Sequence, residues 1–430
     1  MGKKHTAGNL ALLILIILLL AVIALKPSWQ IGGDGFGYYA YARSLFFDGN
    51  FDLNNEFTLY DKLYDHHTVE GWQVASGNVG NPFAVGSAIL WSPFIILAQL
   101  IDSLFVFVDD FDLAGYNLPY QIAIAVGTWF YFLLGVVFII KALVKLLDKK
   151  YAWWGTLVAI ALSPVPFYLI YEPSMAHGLT VFSGALVFYF SVKIYQAKQW
   201  RWQDFVRLGI TVGLLFLLRW QDILLAVIPL GIILSRLFNR GRKNINKILV
   251  LILSFIIAIL PQLFMWRYIF GSWITVPQGE TFFSLSDPNI WQFLFSSYHG
   301  MLVIHPLLIL GLLGLIWSFR KYKLLASLMM LALMLQIYMN SALYDWYGGG
   351  SFGARRMVSS LFIFAWGWTY LFYRIKLKKI ILIIVIVVIF TGMVFNGLLM
   401  MSYAKQIIPL NRFTTYQELY SAPLKVITEL

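Results

Sequence analysis

Apolar runs about as long as a bilayer is thick recur along the whole chain. The first, Leu10 to Leu25, contains 16 consecutive apolar residues, and short polar segments separate most of the others. A helix needs about 20 residues to cross the hydrocarbon core. The pattern predicts an all-α polytopic membrane protein of about 11 transmembrane helices, with residues 1–430 forming one integral domain. The predicted spans are 9–26, 119–143, 152–171, 174–195, 205–218, 222–236, 247–269, 301–319, 323–341, 357–373 and 379–401.

The distribution of charge predicts how these helices are oriented. With eleven spans, the segments on the N-terminal side hold 22 of the 32 lysines and arginines but only two of the 20 acids. The positive-inside rule then places the N-terminus in the cytoplasm and the C-terminal tail, residues 402–430, outside the plasma (inner) membrane. Residues 81–108 are apolar enough for a twelfth span, but a crossing there would turn the later basic loops outward. We expect them to lie along the outer surface, within a long first extracytoplasmic loop, residues 27–118, that carries surface-lying helices.

Composition excludes several classes of function. The chain has no cysteine, which excludes disulfides, thiolate catalysis and thiolate metal sites. The net charge of +12 follows from the basic cytoplasmic loops, so we expect no nucleic-acid partner. Most acids and histidines fall on the predicted outer face, whereas the spans are nearly uncharged. A transporter or lipid flippase, the alternative from another class, would place polar groups near the bilayer midplane.

One polar segment directly follows the first span and reads "GGDGFGYYAYARSLFFDGN". Residues 36–47 are predicted to form an amphipathic helix in the membrane interface, ended by the Asp48-Gly49-Asn50 sequence. Asp34 would lie at its start. An aspartate there is a favoured N-cap, because its carboxylate accepts hydrogen bonds from free N–H groups. A chemical role for the same carboxylate is compatible with capping and stays open.

Two further polar segments interrupt apolar runs on the predicted outer side. "YEPSMAHG" carries Glu172 and His177 at a tight turn, where they are candidates to hold a cation or contact a phosphate. The alternative is a pair of solvated turn residues. "LLRWQDILL" carries Arg219 and Asp222 at a spacing that favours an internal ion pair. The alternative here is that Arg219 binds an anionic headgroup.

Two later outer segments also concentrate polar residues. "SSYHGMLVIHP" carries His299 and His305, which are candidates for either structural hydrogen bonding or function. "YDWYGGGSFGARR" places three glycines before Arg355 and Arg356. Exposed backbone N–H groups beside forked guanidinium donors predict a phosphate cradle. A flexible loop with two snorkelling arginines is the alternative.

These segments, with an acid just after the first span and about eleven spans, resemble the GT-C glycosyltransferases. The resemblance is strongest to bacterial relatives of protein O-mannosyltransferases and to the aminoarabinose transferases of lipid A, in "GDGFGYYAYARSL", "NPFAVGSAILWSPF" and "YDWYGGGSFGARR". It implies inverting transfer of a sugar from a polyprenyl-phosphate carrier to a glycan, lipid or protein acceptor on the extracytoplasmic face. An O-antigen ligase or polymerase is an enzymatic alternative that lacks the first-loop acid.

The resemblance also implies residue roles. Asp34 matches the acid that serves as the acceptor-side base. The remaining implied roles are donor-phosphate binding by Arg355, Arg356, His299 and Arg219, and acceptor or metal proximity for Glu172, His177 and Asp345. No cofactor is certain, but Asp34 and Glu172 would be the ligands of an optional divalent ion such as Mg²⁺ or Mn²⁺. Many protein mannosyltransferases have Asp-Glu where this chain has Asp34-Gly35, so a protein acceptor is less well supported.

Overall fold

The computed structural model describes residues 31–105, 114–240, 245–375, 379–410 and 412–428, and these ranges are almost entirely helical. The predicted first span, 9–26, lies outside the described residues. The α-helices are α1 (Asp34–Arg43), α2 (Asn54–Tyr64), α3 (Thr68–Gly71), α4 (Gly86–Phe105), α5 (Leu118–Val144), α6 (Lys149–Ala161), α7 (Val165–Ile170), α8 (His177–Gln196), α9 (Trp202–Leu218), α10 (Val227–Arg240), α11 (Ile245–Phe270), α12 (Ile290–Phe295), α13 (Met301–Ile304), α14 (Leu308–Ser318), α15 (Lys323–Ser341), α16 (Leu361–Ile375), α17 (Lys379–Ala404) and α18 (Tyr416–Thr428).

Every predicted span that falls within the described residues contains helix. Seven helices of the described ranges are long and apolar enough to cross a membrane: Gly86–Leu104, Leu118–Val144, His177–Gln196, Trp220–Leu237, Ile245–Phe270, Lys323–Ser341 and Ile383–Ala404. The all-α, multi-pass membrane architecture is therefore confirmed. The count of eleven spans stays a prediction, because several other predicted spans are shorter or interrupted helices.

The interruptions occur where the sequence mixes proline or charge with apolar residues. Pro164 separates α6 from α7, and Pro306 separates α13 from α14, since proline removes a helical N–H donor. Two other predicted spans begin as 3₁₀ helices, Trp220–Ala226 and Arg355–Ser360, before continuing as α10 and α16. As a result Arg219 and Arg355 each lie at the start of an irregular segment rather than inside a regular α-helix.

Helix α16 forms the centre of the bundle. Every residue from Leu361 to Phe372 is buried, as expected for a helix that is apolar on all sides. It packs against α6 and α14. The contact with α14 is very close: a Cβ atom on Gly314 would lie 1.9 Å from the carbonyl oxygen of Gly367. Small residues allow this backbone approach, which brings the two helices into direct van der Waals contact.

The segment predicted to lie on the outer surface forms helix α4. It packs against α1 and α5, and its other side exposes apolar residues such as Leu97 and Leu104. By length and composition α4 is one of the helices that qualify as membrane spans. Its placement along the outer surface therefore stays a prediction.

The close approach of α14 and α16 predicts that even a methyl group at Gly314 is destabilising. Gly314→Ala should lower the thermal unfolding midpoint of the detergent-solubilised protein, with a loss of about 1–3 kcal/mol because the added carbon overlaps backbone atoms. Gly397→Ala is the matched control, since a Cβ there meets no atom within 4 Å and alanine favours the helix. Equal midpoints for the two variants would contradict this packing.

Candidate active site

Five outer loops are predicted, between spans 1 and 2, 3 and 4, 5 and 6, 7 and 8, and 9 and 10, and they are numbered in that order. Residues from all five meet at one end of the helices. They line a small polar cavity of about 70 Å³. Its lining includes Asp34, Tyr38, His177, Arg219, Gln221, Gln278, Arg355 and Arg356. The loops predicted to share one side of the membrane therefore do lie together, and three of the arginines singled out in the sequence face the same space.

Asp34 is the first residue of α1, and it does not cap the helix. Gly33 occupies the N-cap position with a φ of 53°, a conformation that favours glycine, and no side chain caps the helix there. The Asp34 carboxylate instead forms an ion pair with Arg355, with 2.8 Å between Oδ2 and Nη2. The N-cap interpretation is wrong, because the carboxylate is directed to a guanidinium from the fifth outer loop.

Helix α1 packs closely against the second outer loop and against a later part of the first. A Cβ atom on Gly35 would lie 2.3 Å from the Ser174 hydroxyl, and one on Gly37 would lie 2.1 Å from the Phe83 ring. All residues from Gly35 to Arg43 are buried. The expected amphipathic surface helix is therefore wrong for α1, since the first loop and α4 cover the face predicted to be exposed. This close packing brings Asp34 near the second loop and Glu172.

Arg355 is the central cation of the site, and it is buried. Its Nη2 atom binds Asp34, and its Nη1 atom lies 3.1 Å from the sulfur of Met175. The glycine run makes room for it: a Cβ atom on Gly348 would lie 3.3 Å from the Arg355 Nε atom. Burial acts to lower the pKa of Arg355, but the nearby acidic groups, Asp34 first among them with Glu172 and two tyrosines, together outweigh burial and raise the pKa above its ordinary value.

Arg356 turns toward a different acid. Its Nη2 atom forms an ion pair with Asp345, and its Nη1 atom donates to the Asp345 carbonyl oxygen at 2.7 Å. Asp345 does not line the cavity. The two neighbouring arginines thus reach the same cavity from two separately anchored positions, one through α1 and one through the fifth loop itself.

Arg219 contributes the third guanidinium. It follows α9 in an extended conformation, with φ of −163° and ψ of 103°. It forms no ion pair with Asp222, since no pair between them falls within 4.0 Å. The predicted internal ion pair is wrong in this geometry. The extended backbone at Arg219 places its side chain in the cavity wall instead.

Glu172 is a second carboxylate close to this charge cluster. Its Oε2 atom is buried and has no hydrogen-bond partner in the protein. Burial raises the pKa of Glu172 to about 7, with the positive charge of Arg355 opposing the shift and Asp34 adding to it. Arg355 therefore lies within the electrostatic reach of two acids, only one of which it contacts directly.

Asp34 and Glu172 do not complete a metal site. The described residues include no group of three or more histidine, aspartate or glutamate side chains placed to hold a metal ion. The guanidinium of Arg355 already compensates the charge of the Asp34 carboxylate. The residues present therefore do not fit the optional divalent ion, and no step proposed below passes through one.

His299, in the fourth outer loop, and His305, directly after α13, do not line the polar cavity. His299 is buried between Tyr298 and Tyr403, with ring centroids 4.2 Å and 5.7 Å away. Burial, together with the charge of Arg355, lowers the pKa of His299 to about 3, so it is neutral near pH 7. His305 packs against Phe352. His177, by contrast, lines the polar cavity and packs on Tyr168 with ring centroids 4.4 Å apart.

A second, wider pocket also borders Asp34. Its volume is about 400 Å³, within the range of small-ligand sites. Its lining consists of Gly33, Asp34, Phe36, Gly37, Phe57, Tyr60, His66, His67, Thr68, Trp72 and Phe83. Asp34 and Phe83 line both this aromatic pocket and the polar cavity. The Asp34 carboxylate therefore stands at the wall between a basic and an aromatic compartment.

Sequence reasoning missed most of the aromatic pocket and part of the polar cavity. Tyr38 follows Asp34 by four residues and so shares its helical face, a signal that was present in the sequence. Burial raises the pKa of Tyr38 to about 12, which keeps its hydroxyl protonated. Trp72, Gln221 and Gln278 carry no such local signal, because only the packing of distant loops brings them to the site.

The raised pKa of Glu172 predicts a pH-dependent loss of stability. The folded protein holds this proton up to about pH 7, whereas the ordinary pKa is 4.5, so the free energy of unfolding falls as pH rises between these values. Glu172→Gln should remove this contribution, so thermal midpoints of the two proteins should converge or cross in that window. Glu70→Gln, on the exposed surface of α3, is the control. Parallel curves for wild type and Glu172→Gln would contradict the assignment.

Comparison with known proteins finds similarity in structure and not in sequence. No protein-family model and no curated protein matches the chain. The crystal structure of ArnT from Cupriavidus metallidurans bound to undecaprenyl phosphate aligns with a TM-score of 0.55 and 11% identity, covering 98% of this chain and 75% of that one. The archaeal oligosaccharyltransferase AglB from Archaeoglobus fulgidus, in complex with an inhibitory peptide and a dolichol-phosphate, aligns with a TM-score of 0.46 and 14% identity over 99% of this chain and 55% of that one. The likeness to ArnT is one of fold, and it agrees with the all-α, multi-pass membrane architecture predicted from the sequence.

Proposed function

We propose that this chain is a membrane glycosyltransferase that transfers a sugar, with inversion, from a polyprenyl-phosphate carrier to an acceptor hydroxyl on the extracytoplasmic face. In this proposal the N-terminus is cytoplasmic and the site faces the outside of the plasma membrane. The observation that carries the proposal is the position of Asp34, between a cavity lined by three arginines and a wider aromatic pocket. The shared fold with ArnT, which is bound to undecaprenyl phosphate, supports it.

The polar cavity has the properties that a donor phosphate requires. Arg219, Arg355 and Arg356 supply planar guanidinium groups, which bind phosphate oxygens in a bidentate manner. Its volume of about 70 Å³ is below the roughly 150 Å³ of a cavity that accepts a benzene ring, so it suits a phosphate group better than a sugar ring. When the bond between the sugar and the phosphate breaks, the leaving phosphate gains charge. Arginines fixed beforehand around that position stabilise the transition state.

Asp34 has the position that an acceptor-side base requires. Its side chain is 33% exposed, so it remains accessible beside its ion pair with Arg355. An acceptor hydroxyl in the aromatic pocket can donate a hydrogen bond to this carboxylate. The hydroxyl oxygen then attacks the sugar carbon from the side opposite the phosphate, the C–O bond to the phosphate breaks, and the proton passes to Asp34. Attack from the opposite side inverts the configuration at that carbon.

Arg355 links the two halves of the reaction. It contacts Asp34 and also lines the phosphate cavity, so a donor phosphate and Asp34 compete for one guanidinium. Donor binding would draw Arg355 toward the phosphate and leave more of the carboxylate's negative charge for the acceptor hydroxyl. The proposal therefore includes an order of events, in which the donor binds before the acceptor is activated.

The assay for this function is release of free polyprenyl phosphate. Purified protein is incubated with a panel of polyprenyl-phosphate sugars, with membranes supplied as a source of acceptor. We expect release from at least one donor, because transfer of the sugar leaves the carrier phosphate behind. Absence of release from every donor of the panel would contradict the function.

Asp34→Asn should lower kcat in that assay by about 10² to 10⁴ fold, since the amide cannot accept the proton. Asp345→Asn is the matched comparison. This substitution also removes the carboxylate partner of an arginine, and the Asp345 side chain is 28% exposed, close to the value for Asp34. Asp345, however, lines neither cavity. We expect its loss to be less than about tenfold. Size-exclusion profiles and unfolding midpoints monitor the fold of both variants, and equal losses in kcat would contradict the role of Asp34 as a base.

A further inference from the structure

The aromatic pocket beside Asp34 indicates the chemical class of the acceptor. We infer that the acceptor is a neutral carbohydrate, whose pyranose ring stacks on Trp72 and places one hydroxyl at Asp34. This inference rests on the proposed function and adds the substrate class, which neither the fold nor the arginines specify.

The aromatic rings of the pocket pack against one another. Phe57 and Trp72 pack edge to face with centroids 5.5 Å apart, and Trp72 lies 6.4 Å from Phe83. Tyr60 stacks on His66 at 5.3 Å with an interplanar angle of 13°. Phe57 is fully buried, whereas Trp72 is 37% exposed. Trp72 is thus held in place by Phe57 and Phe83, and its exposed surface is available to a ligand.

A sugar ring matches this surface in both polarity and size. One face of a pyranose is a patch of C–H groups that packs on an aromatic ring, while its edge carries hydroxyls. Polar side chains at the pocket wall, Asp34, His66, His67 and Thr68, are positioned to meet that edge. A volume of about 400 Å³ lies at the lower end of the range for ligand pockets and accommodates roughly one or two sugar rings.

Charge separates this pocket from the neighbouring one. Among the described residues that line the aromatic pocket there is no lysine or arginine, and Asp34 is its acid. The polar cavity, which Asp34 also borders, contains three arginines. The lining of the aromatic pocket therefore offers an anionic acceptor group no lysine or arginine as a partner. The acceptor is accordingly uncharged where it contacts Trp72.

The backbone of the same region disfavours a peptide acceptor. One common way in which an extended peptide binds is by adding backbone hydrogen bonds to a free strand edge. The backbone groups near Trp72 are already paired: the amides of Thr68 and Val69 bind the Asp61 carboxylate, and the Trp72 carbonyl accepts from Gly80 at 2.7 Å. A buried peptide would lack partners for its own N–H and C=O groups. The stacking surface therefore favours a sugar over a peptide.

Equilibrium binding tests the inference without the donor. Labelled neutral oligosaccharides and labelled peptides containing serine and threonine are titrated against the full-length protein in detergent. We expect saccharide binding that weakens at least about fivefold in Trp72→Ala and is retained in Trp72→Phe, because phenylalanine keeps a ring in place. Trp291→Ala is the control, since Trp291 is 71% exposed and lines neither cavity.

Two results would overturn the inference: binding of peptides in preference to saccharides, or equal saccharide affinity in wild type and Trp72→Ala. The turnover assay gives an independent readout, in which Trp72→Ala should raise KM for the saccharide and leave KM for the donor unchanged. Release of polyprenyl phosphate that depends on peptides alone would refute the carbohydrate acceptor and keep the proposed function. Saccharide binding at Trp72 without turnover of any donor would refute the proposed function instead.

Discussion

The ion pair between Asp34 and Arg355 is the interaction on which the organisation of the site depends. It joins the first outer loop to the fifth across most of the sequence, and it does so with a buried guanidinium. An unpaired charge in that position would be strongly unfavourable, so removal of either partner affects more than one contact. The glycines on both sides follow from the same requirement. Gly35 and Gly37 let α1 approach, and Gly348 leaves space for the arginine.

The charges of the site are separated in space, and this separation gives each compartment its chemistry. Three guanidinium groups face the polar cavity, aromatic rings face the wider pocket, and Asp34 lies between them. Glu172 holds its proton up to about pH 7 because the burial of its carboxyl group, whose Oε2 atom is unpartnered, outweighs the opposing charge of the same arginine. In the proposed function, Asp34 borders both the cavity for the leaving phosphate and the pocket for the acceptor hydroxyl.

Much of the fold could be predicted from the sequence, because membrane thickness and the apolar pattern fix where helices occur. The helix interruptions at Pro164 and Pro306 were not predicted: the spans 152–171 and 301–319 were expected to be continuous, although each contains a proline. Asp34, Arg219, Arg355 and Arg356 stood out because charged residues beside apolar spans need a partner. The direction of each side chain was not predictable. Arg355 and Arg356 are adjacent, yet they bind different acids, and only the packed structure distinguishes them.

The remaining errors have physical causes of the same kind. The tyrosines of α1 have amphipathic spacing, but a long first loop and α4 bury both faces, so local periodicity gave the wrong environment. Asp222 has the right spacing to pair with Arg219, but the extended backbone at Arg219 moves the guanidinium into the cavity wall. Trp72 was not predicted as a site residue, because a single aromatic residue in a loop gives no sign of its role. Its role depends on Phe57 and Phe83, which are brought beside it only by the fold.

The central claim is that the arginine-lined cavity receives the donor phosphate next to Asp34. An experimental structure of the protein with bound polyprenyl phosphate tests it most directly. The account predicts phosphate oxygens within hydrogen-bonding distance of Arg219, Arg355 and Arg356, and a longer separation between Arg355 and Asp34 than the 2.8 Å of the free protein. A phosphate bound away from these arginines, with the Asp34–Arg355 pair unchanged, would contradict it.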